Sequence, residues 1–158
     1  MFKVIQNFLE PKDFNALKSF LISEDVEWHY HPQIDIKTDK EWFNHCFFNN
    51  NEITSNAFKF VKPVIQKLEG KAIIRIRANL DIQNPKTYQC NYHTDYPFEC
   101  KTAILYMTDG NGGTQFKNPN KKVSCKENQI VIFDSQVQHS AITQTDVKQK
   151  IVLNINYF

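Results

Sequence analysis

The chain has 158 residues, of which 41% are hydrophobic and 23% charged, with a formal net charge of +2. That length suits one domain with a real core, and the composition excludes a disordered chain. A charge so near balance announces neither a nucleic-acid nor a membrane partner, and no run approaches the roughly 18 apolar residues of a spanning helix.

The first residues, Met1 to Leu9, lack the basic segment and apolar run of a signal peptide. Cys46, Cys90, Cys100 and Cys125 form no Cys-x-x-Cys pair and read as reduced thiols of a cytosolic protein. Up to Gly70 the chain reads mainly as helix. Pro11 suits a first helical position, Asp13 suits the positive end of a first turn, and Phe14, Leu17 and Leu21 share one face. Val26 to Ile36 is aromatic-rich and fits strand or irregular structure. Ala57, Val61, Ile65 and Leu68 make a second helical pattern that Gly70 stops. Pro63 lies inside it and must kink or divide it.

After Gly70 the period becomes two. Ile74, Ile76, Ala78, Leu80 and Ile82 alternate with Arg75, Arg77, Asn79 and Asp81. Further strands are expected at Tyr88–Tyr96, Thr102–Thr108, Gln115–Phe116, Ile130–Phe133 and Ile151–Phe158. Asp109 to Gly113 reads as a turn between two of them. Short strands separated by turns point to a sandwich or barrel, so the chain divides into N-terminal helical support (1–70) and a β core (71–158) of one domain. In the last strand, Ile151, Leu153, Ile155 and Tyr157 form an apolar face that needs cover, and the helices are the available cover. Lys150, Val152, Asn154 and Asn156 then face the concave side. A lysine aimed into an enclosed space requires an anionic partner.

His93-Thr94-Asp95 carries the chemistry. On a strand, positions i and i+2 project from one face, so an imidazole and a carboxylate converge. A second His completes a set that leaves positions open on Fe(II). His139 is the one other His downstream.

Taken together, His93-Thr94-Asp95, Tyr106, Gly112-Gly113-Thr114-Gln115-Phe116, Phe133, His139 and Lys150 resemble the Fe(II)- and 2-oxoglutarate-dependent dioxygenases. Within that superfamily the similarity is to the prolyl 4-hydroxylase-like branch in its short bacterial or phage form. The resemblance spans roughly Ile73 to Phe158. It implies a mainly β fold, a double-stranded β-helix (a cupin-like jelly roll) with N-terminal helices. It implies His93, Asp95 and His139 as iron ligands, and Lys150 and Tyr106 on the distal carboxylate of 2-oxoglutarate, with Lys148 competing for the role of Lys150. It further implies O2 as oxidant and ascorbate as a supporting reductant.

By its place in the first core strand, Asn79 is expected near the co-substrate. Arg75 and Arg77 share its face and are candidate substrate contacts, against the plainer reading of a solvated face. The implied activity is hydroxylation of an unactivated C–H bond. The leading substrate is a prolyl residue in a peptide or protein; a small molecule is the alternative. A nucleic-acid substrate is disfavoured because no paired arginines follow His139. The protein is expected as a monomer or weak dimer in the cytoplasm of a bacterium or phage-infected host. The rival readings are a cupin-type metalloprotein that does not use 2-oxoglutarate and a non-catalytic jelly-roll binding module. His29 and His31 read as local packing. Lys117, Lys121, Lys122 and Lys126 read as a solvated hairpin surface.

Overall fold

The computed structural model describes residues 2–32 and 41–158. Its elements in chain order are β1 (Phe2–Ile5), α1 (Pro11–Leu21), β2 (His29–His31), β3 (Trp42–Asn49), β4 (Glu52–Ile53), a 3-10 helix (Asn56–Phe60) and α2 (Lys62–Leu68). They continue with β5 (Ile73–Ile82), β6 (Lys101–Tyr106), β7 (Gly110–Phe116), β8 (Lys121–Cys125), β9 (Gln129–Asp134), β10 (His139–Ile142) and β11 (Gln149–Tyr157). A major sheet runs β1-β9-β6-β11-β5-β3-β2, with β4 on β3, and a minor sheet runs β10-β7-β8. The pairings are antiparallel, and the result is the expected jelly-roll arrangement.

The outer face of the major sheet holds the main core. Ile151, Leu153, Ile155 and Tyr157 of β11 pack in one cluster with Phe14, Leu17 and Leu21 of α1 and with Val61 and Val64. The period-two face of the last strand is therefore covered by the period-3.6 face of the first helix. Pro63 does divide the second helical pattern, into the 3-10 helix and α2. A proline is tolerated in the first turn of α2, where its missing N–H is not needed. The left-handed residue that ends α2 is Glu69 (φ 54°), one position before the expected Gly70. Between the sheets a second cluster gathers Ile104, Tyr106, Phe116, Val131 and Phe133.

Three expectations need correction. The segment before Gly70 is not mainly helical: β1 to β4 lie there, and β3 is paired along β5. Trp42 to Asn49 is almost continuously aromatic or apolar and is bulged between Cys46 and Phe48, so its strand period is hidden. Tyr88–Tyr96 is not a strand; it touches its neighbours through single bridges, Gln89 to Ile142 and His93 to His139. The glycines after Asp109 lie largely inside β7, which belongs to the other sheet from β6, so this connection crosses between sheets and closes no hairpin. At Gly113 (φ 155°) any Cβ would stand 2.3 Å from the Val123 carbonyl oxygen, which explains glycine at that bulge. Of the Val26–Ile36 expectation, 33–36 lie outside the described residues, and His29–His31 is strand. The lysines 117, 121, 122 and 126 are exposed, as expected of a solvated surface.

Asn128 ties the N-terminus to the core. Its side chain accepts from the Leu9 N–H and donates to the Leu9 carbonyl, both at 2.8 Å, and its carbonyl accepts from the Phe8 N–H at 2.8 Å. It also sits at φ 56°, a region Asn tolerates better than branched residues. Asn128→Ala is expected to cost about 2–4 kcal/mol, from two lost hydrogen bonds and left-handed strain, as read by urea unfolding. Asn128→Gly, which loses the same two hydrogen bonds but tolerates the left-handed backbone, is expected to cost less.

Candidate functional site

The cavity between the two sheets has a volume of about 310 Å3 and is lined by Arg77, Asn79, His93, His139 and Lys150 among the residues singled out in the sequence. His93 and His139 meet because their backbones form a reciprocal bridge, N–H to C=O, at 2.9 and 3.0 Å. Their rings lie 4.5 Å apart between centroids. Asp95 follows His93 out of the bridge. Its own N–H donates to the Ser135 carbonyl, and the buried Ser135 hydroxyl donates to the Phe98 carbonyl at 2.8 Å. These contacts pin the loop that carries the carboxylate.

The donor atoms of His93, Asp95 and His139 all lie within 4.8 Å of one another. Asp95 Oδ1 is 3.8 Å from His93 Nε2 and 3.7 Å from His139 Nε2, too far for direct hydrogen bonds. Both Nδ1 atoms face backbone carbonyls, that of His139 meeting Val137 at 3.0 Å and that of His93 meeting Asn91 at 3.4 Å. An Nδ1–H donor at each position leaves the Nε2 lone pairs directed at the gap beside Oδ1. The other carboxylate oxygen, Oδ2, accepts from Asn156 Nδ2 at 2.7 Å and from Thr102 Oγ1 at 3.0 Å. The donor set therefore fits a divalent transition metal: two imidazole nitrogens and one oriented carboxylate.

The electrostatics agree. Burial pushes the Asp95 pKa up, but His139, the Asn156 and Thr102 hydrogen bonds and His93 outweigh it and hold the carboxyl below its ordinary value. Burial lowers the His139 pKa, against the pull of Asp95, and favours the neutral imidazole that a metal requires. The Asp95 and His139 side chains are only 5% and 4% exposed, whereas that of His93 is 54% exposed, so the triad opens to solvent on the His93 side.

The β5–β11 register lays out the rest. Lys150 stands opposite Asp81, Val152 opposite Asn79, Asn154 opposite Arg77 and Asn156 opposite Arg75. Lys150 is buried and lines the cavity, whereas Lys148 is exposed. The Lys150 ammonium meets Asp81 Oδ2 at 2.6 Å and donates to the Ile142 carbonyl at 2.9 Å. Burial alone would lower its pKa, but Asp81 outweighs that and holds it above the ordinary lysine value. The anionic partner demanded by the strand's alternation is thus a residue of the chain itself.

Asn79 and Arg77 also line the cavity. Arg75 does not; its Nη2 donates to Asn156 Oδ1 at 3.1 Å and its guanidinium lies over Tyr96. Tyr106 stands behind the wall in the inter-sheet cluster. Its hydroxyl donates at 2.8 Å to Thr114, and it is Thr114 that reaches the cavity. Sequence reasoning passed over Asp81, Thr102, Thr114, Asn156 and Trp42 as site residues. Strand parity pointed to Asp81 and Asn156, which share faces with Asn79 and Lys150; Trp42 had no such signal.

No protein-family profile matches the sequence, and no curated protein matches it. Solved structures do match. The viral collagen prolyl hydroxylase of Paramecium bursaria Chlorella virus-1, in complex with 2-oxoglutarate, aligns at TM-score 0.67 with 13% identity over 98% of this chain and 93% of that one. A Pseudomonas putida prolyl-4-hydroxylase aligns at 0.68 with 15% identity over 99% and 91%. A Trichoplax adhaerens prolyl hydroxylase, bound to a hypoxia-inducible-factor peptide fragment, aligns at 0.70 with 13% identity over 99% and 83%. At these identities the shared property is the fold.

Removing the support of Asp95 tests the site. Asn156→Ala and Thr102→Val are each expected to weaken Fe(II) affinity by about 10- to 100-fold in anaerobic titration. His139→Ala is expected to abolish binding while circular dichroism stays native-like.

Proposed function

We propose that the chain is an Fe(II)- and 2-oxoglutarate-dependent oxygenase that hydroxylates an unactivated C–H bond. The observation that carries this reading is the His93–Asp95–His139 donor set opening into a cavity with a buried lysine at its far end. The fold shared with prolyl hydroxylases supports it, and supports a prolyl substrate as the leading choice.

Iron, 2-oxoglutarate and O2 together would supply the oxidising power for C–H hydroxylation, with succinate and carbon dioxide as co-products. The chain's own contributions are orientation, charge and exclusion of water. His93, Asp95 and His139 hold the metal, and Asn156 and Thr102 fix which oxygen Asp95 offers. Lys150 attracts the distal carboxylate of the co-substrate from a buried position where water screens little. Tyr106 acts at one remove: its hydroxyl donates to Thr114 Oγ1, leaving the Thr114 O–H free to donate into the cavity. Asn79 stands along the wall between these ends.

A second reading, a cupin-type metalloprotein without 2-oxoglutarate, draws support from one observation. Asp81 already neutralises Lys150, so an incoming carboxylate must share that ammonium.

Anaerobic titration of the Fe(II)-loaded protein with 2-oxoglutarate separates the two. The proposal expects a saturable visible charge-transfer band, lost in His139→Ala. Bound iron with no band would establish the second reading instead. Lys150→Ala is expected to raise the 2-oxoglutarate concentration for half-saturation by about tenfold or more, the scale of one charge-assisted hydrogen bond, and Lys148→Ala to leave it unchanged. The reverse pattern would transfer the role to Lys148.

A further inference from the structure

Two cations line the cavity, and they are in different states. Lys150 has its acid, Asp81, at 2.6 Å. Arg77 has none among the described residues, and its Nε is buried without a hydrogen-bond partner. Its guanidinium lies 4.8 Å from the centroid of the Trp42 ring, and Trp42 is backed on by His31 at 4.5 Å, ring to ring. A guanidinium held over an indole ring by cation–π attraction loses freedom to swing, and its fork of N–H donors suits a planar anion. Burial, then the neighbouring Arg75, lower the Arg77 pKa to about 10 against the pull of Asp95, so the group is still cationic at neutral pH.

Orphan acceptors stand on the same wall. Asn79 Oδ1 and Asn154 Oδ1 are buried without partners, and both residues line the cavity. Unpaired buried polar atoms are rare in folded proteins, and several around one cavity describe the ligand that would satisfy them. Here the wall offers a fixed cation for a carboxylate and amide oxygens for an ammonium, imino or hydroxyl donor. Arg77 and the acid that holds Lys150 leave β5 at different points. Lys150 pairs with Asp81, four residues along β5 from Arg77, about 13 Å at strand rise.

We propose that Arg77, held against Trp42, anchors a carboxylate of the primary substrate. The substrate is then a small amino or hydroxy acid, or a chain-terminal residue, and not an internal residue of a peptide. This deepens the oxygenase reading and takes the word "substrate" from it; the carboxylate site itself rests on Arg77 alone. An internal prolyl residue has no free carboxylate and would leave Arg77 unpaired. Asp95 also lies near, but that carboxylate is engaged by Asn156 and Thr102 and faces the imidazoles.

Trp42 is the reporter. The chain has 2 tryptophans, so Trp28→Phe leaves the indole under Arg77 as the sole one. This protein, loaded anaerobically with Fe(II) and saturating 2-oxoglutarate, is titrated with L-proline, L-leucine, L-lysine and L-glutamine and with the carboxamide of each. At least one acid is expected to change Trp42 fluorescence saturably, with its carboxamide weaker by about tenfold or more. Arg77→Gln is expected to erase that preference, Arg77→Lys to keep part of it, and Lys150→Ala to retain it. Acid and amide binding alike, no acid binding, or a preference that survives Arg77→Gln each overturns the proposal. A preference lost only in Lys150→Ala assigns the carboxylate to the co-substrate end and overturns it as well. Absence of the chelate band in the same samples tells against the oxygenase reading alone. The acid-over-amide preference is then measured on metal-free protein, where it stands or falls independently.

Discussion

The buried carboxylate of Asp95 is the constraint on which the site depends. A carboxylate taken from water into a protein interior is costly unless its lone pairs are filled and its charge is opposed. Here Asn156 of β11 and Thr102 of β6 fill one oxygen from the major sheet. The other oxygen faces His93 and His139, whose mutual bridge adds His93 to the edge of β10 in the minor sheet. One side chain therefore links the two layers of the jelly roll, and the contacts that stabilise it as an anion also aim it. This is why its pKa falls despite burial.

The rest of the cavity is organised as separated charges. Lys150 and Asp81 form a buried pair, and Arg77, four residues from Asp81 along β5, lies over Trp42 on the same wall. A buried pair in contact is nearly neutral from a distance, so among the described residues the field seen by an incoming anion is dominated by Arg77. An anion arriving at Lys150 would compete with Asp81 for one ammonium, whereas Arg77 has no acid to displace among the described residues. The orphan amide oxygens of Asn79 and Asn154 sharpen that contrast, because they favour donors.

The fold was legible where the sequence kept a clean period. Ile74 to Ile82 alternates and became β5; Phe14, Leu17 and Leu21 repeat at helical spacing and became the buried face of α1. It was illegible where both faces of a strand are apolar or aromatic. Trp42 to Asn49 packs Phe43, Phe47 and Phe48 toward the helices, yet also sends Trp42 to the cavity, so no alternation shows. His93 and Asp95 illustrate the reverse error. The two-residue spacing suggested a strand, but a single backbone bridge and a loop pinned by Ser135 produce the same convergence with no strand at all.

What the sequence determined by itself was identity and parity: which residues carry imidazole and carboxylate groups at converging positions, and which face of the last strand carries Lys150 toward an enclosed space. Local stereochemistry suffices for that, because successive side chains on a strand must alternate. What only the tertiary structure decided was partnership. Asp81 pairs with Lys150 because β5 and β11 run antiparallel in one register, and a shift of one residue would have turned Asp81 to the other face. Tyr106 lies behind Thr114 because β6 and β7 belong to different sheets packed face to face. Trp42 meets Arg77 because β3 adds to the edge of β5 from a segment 35 residues away in sequence. Such contacts join residues distant along the chain, and their energies depend on packing geometry that no local period encodes.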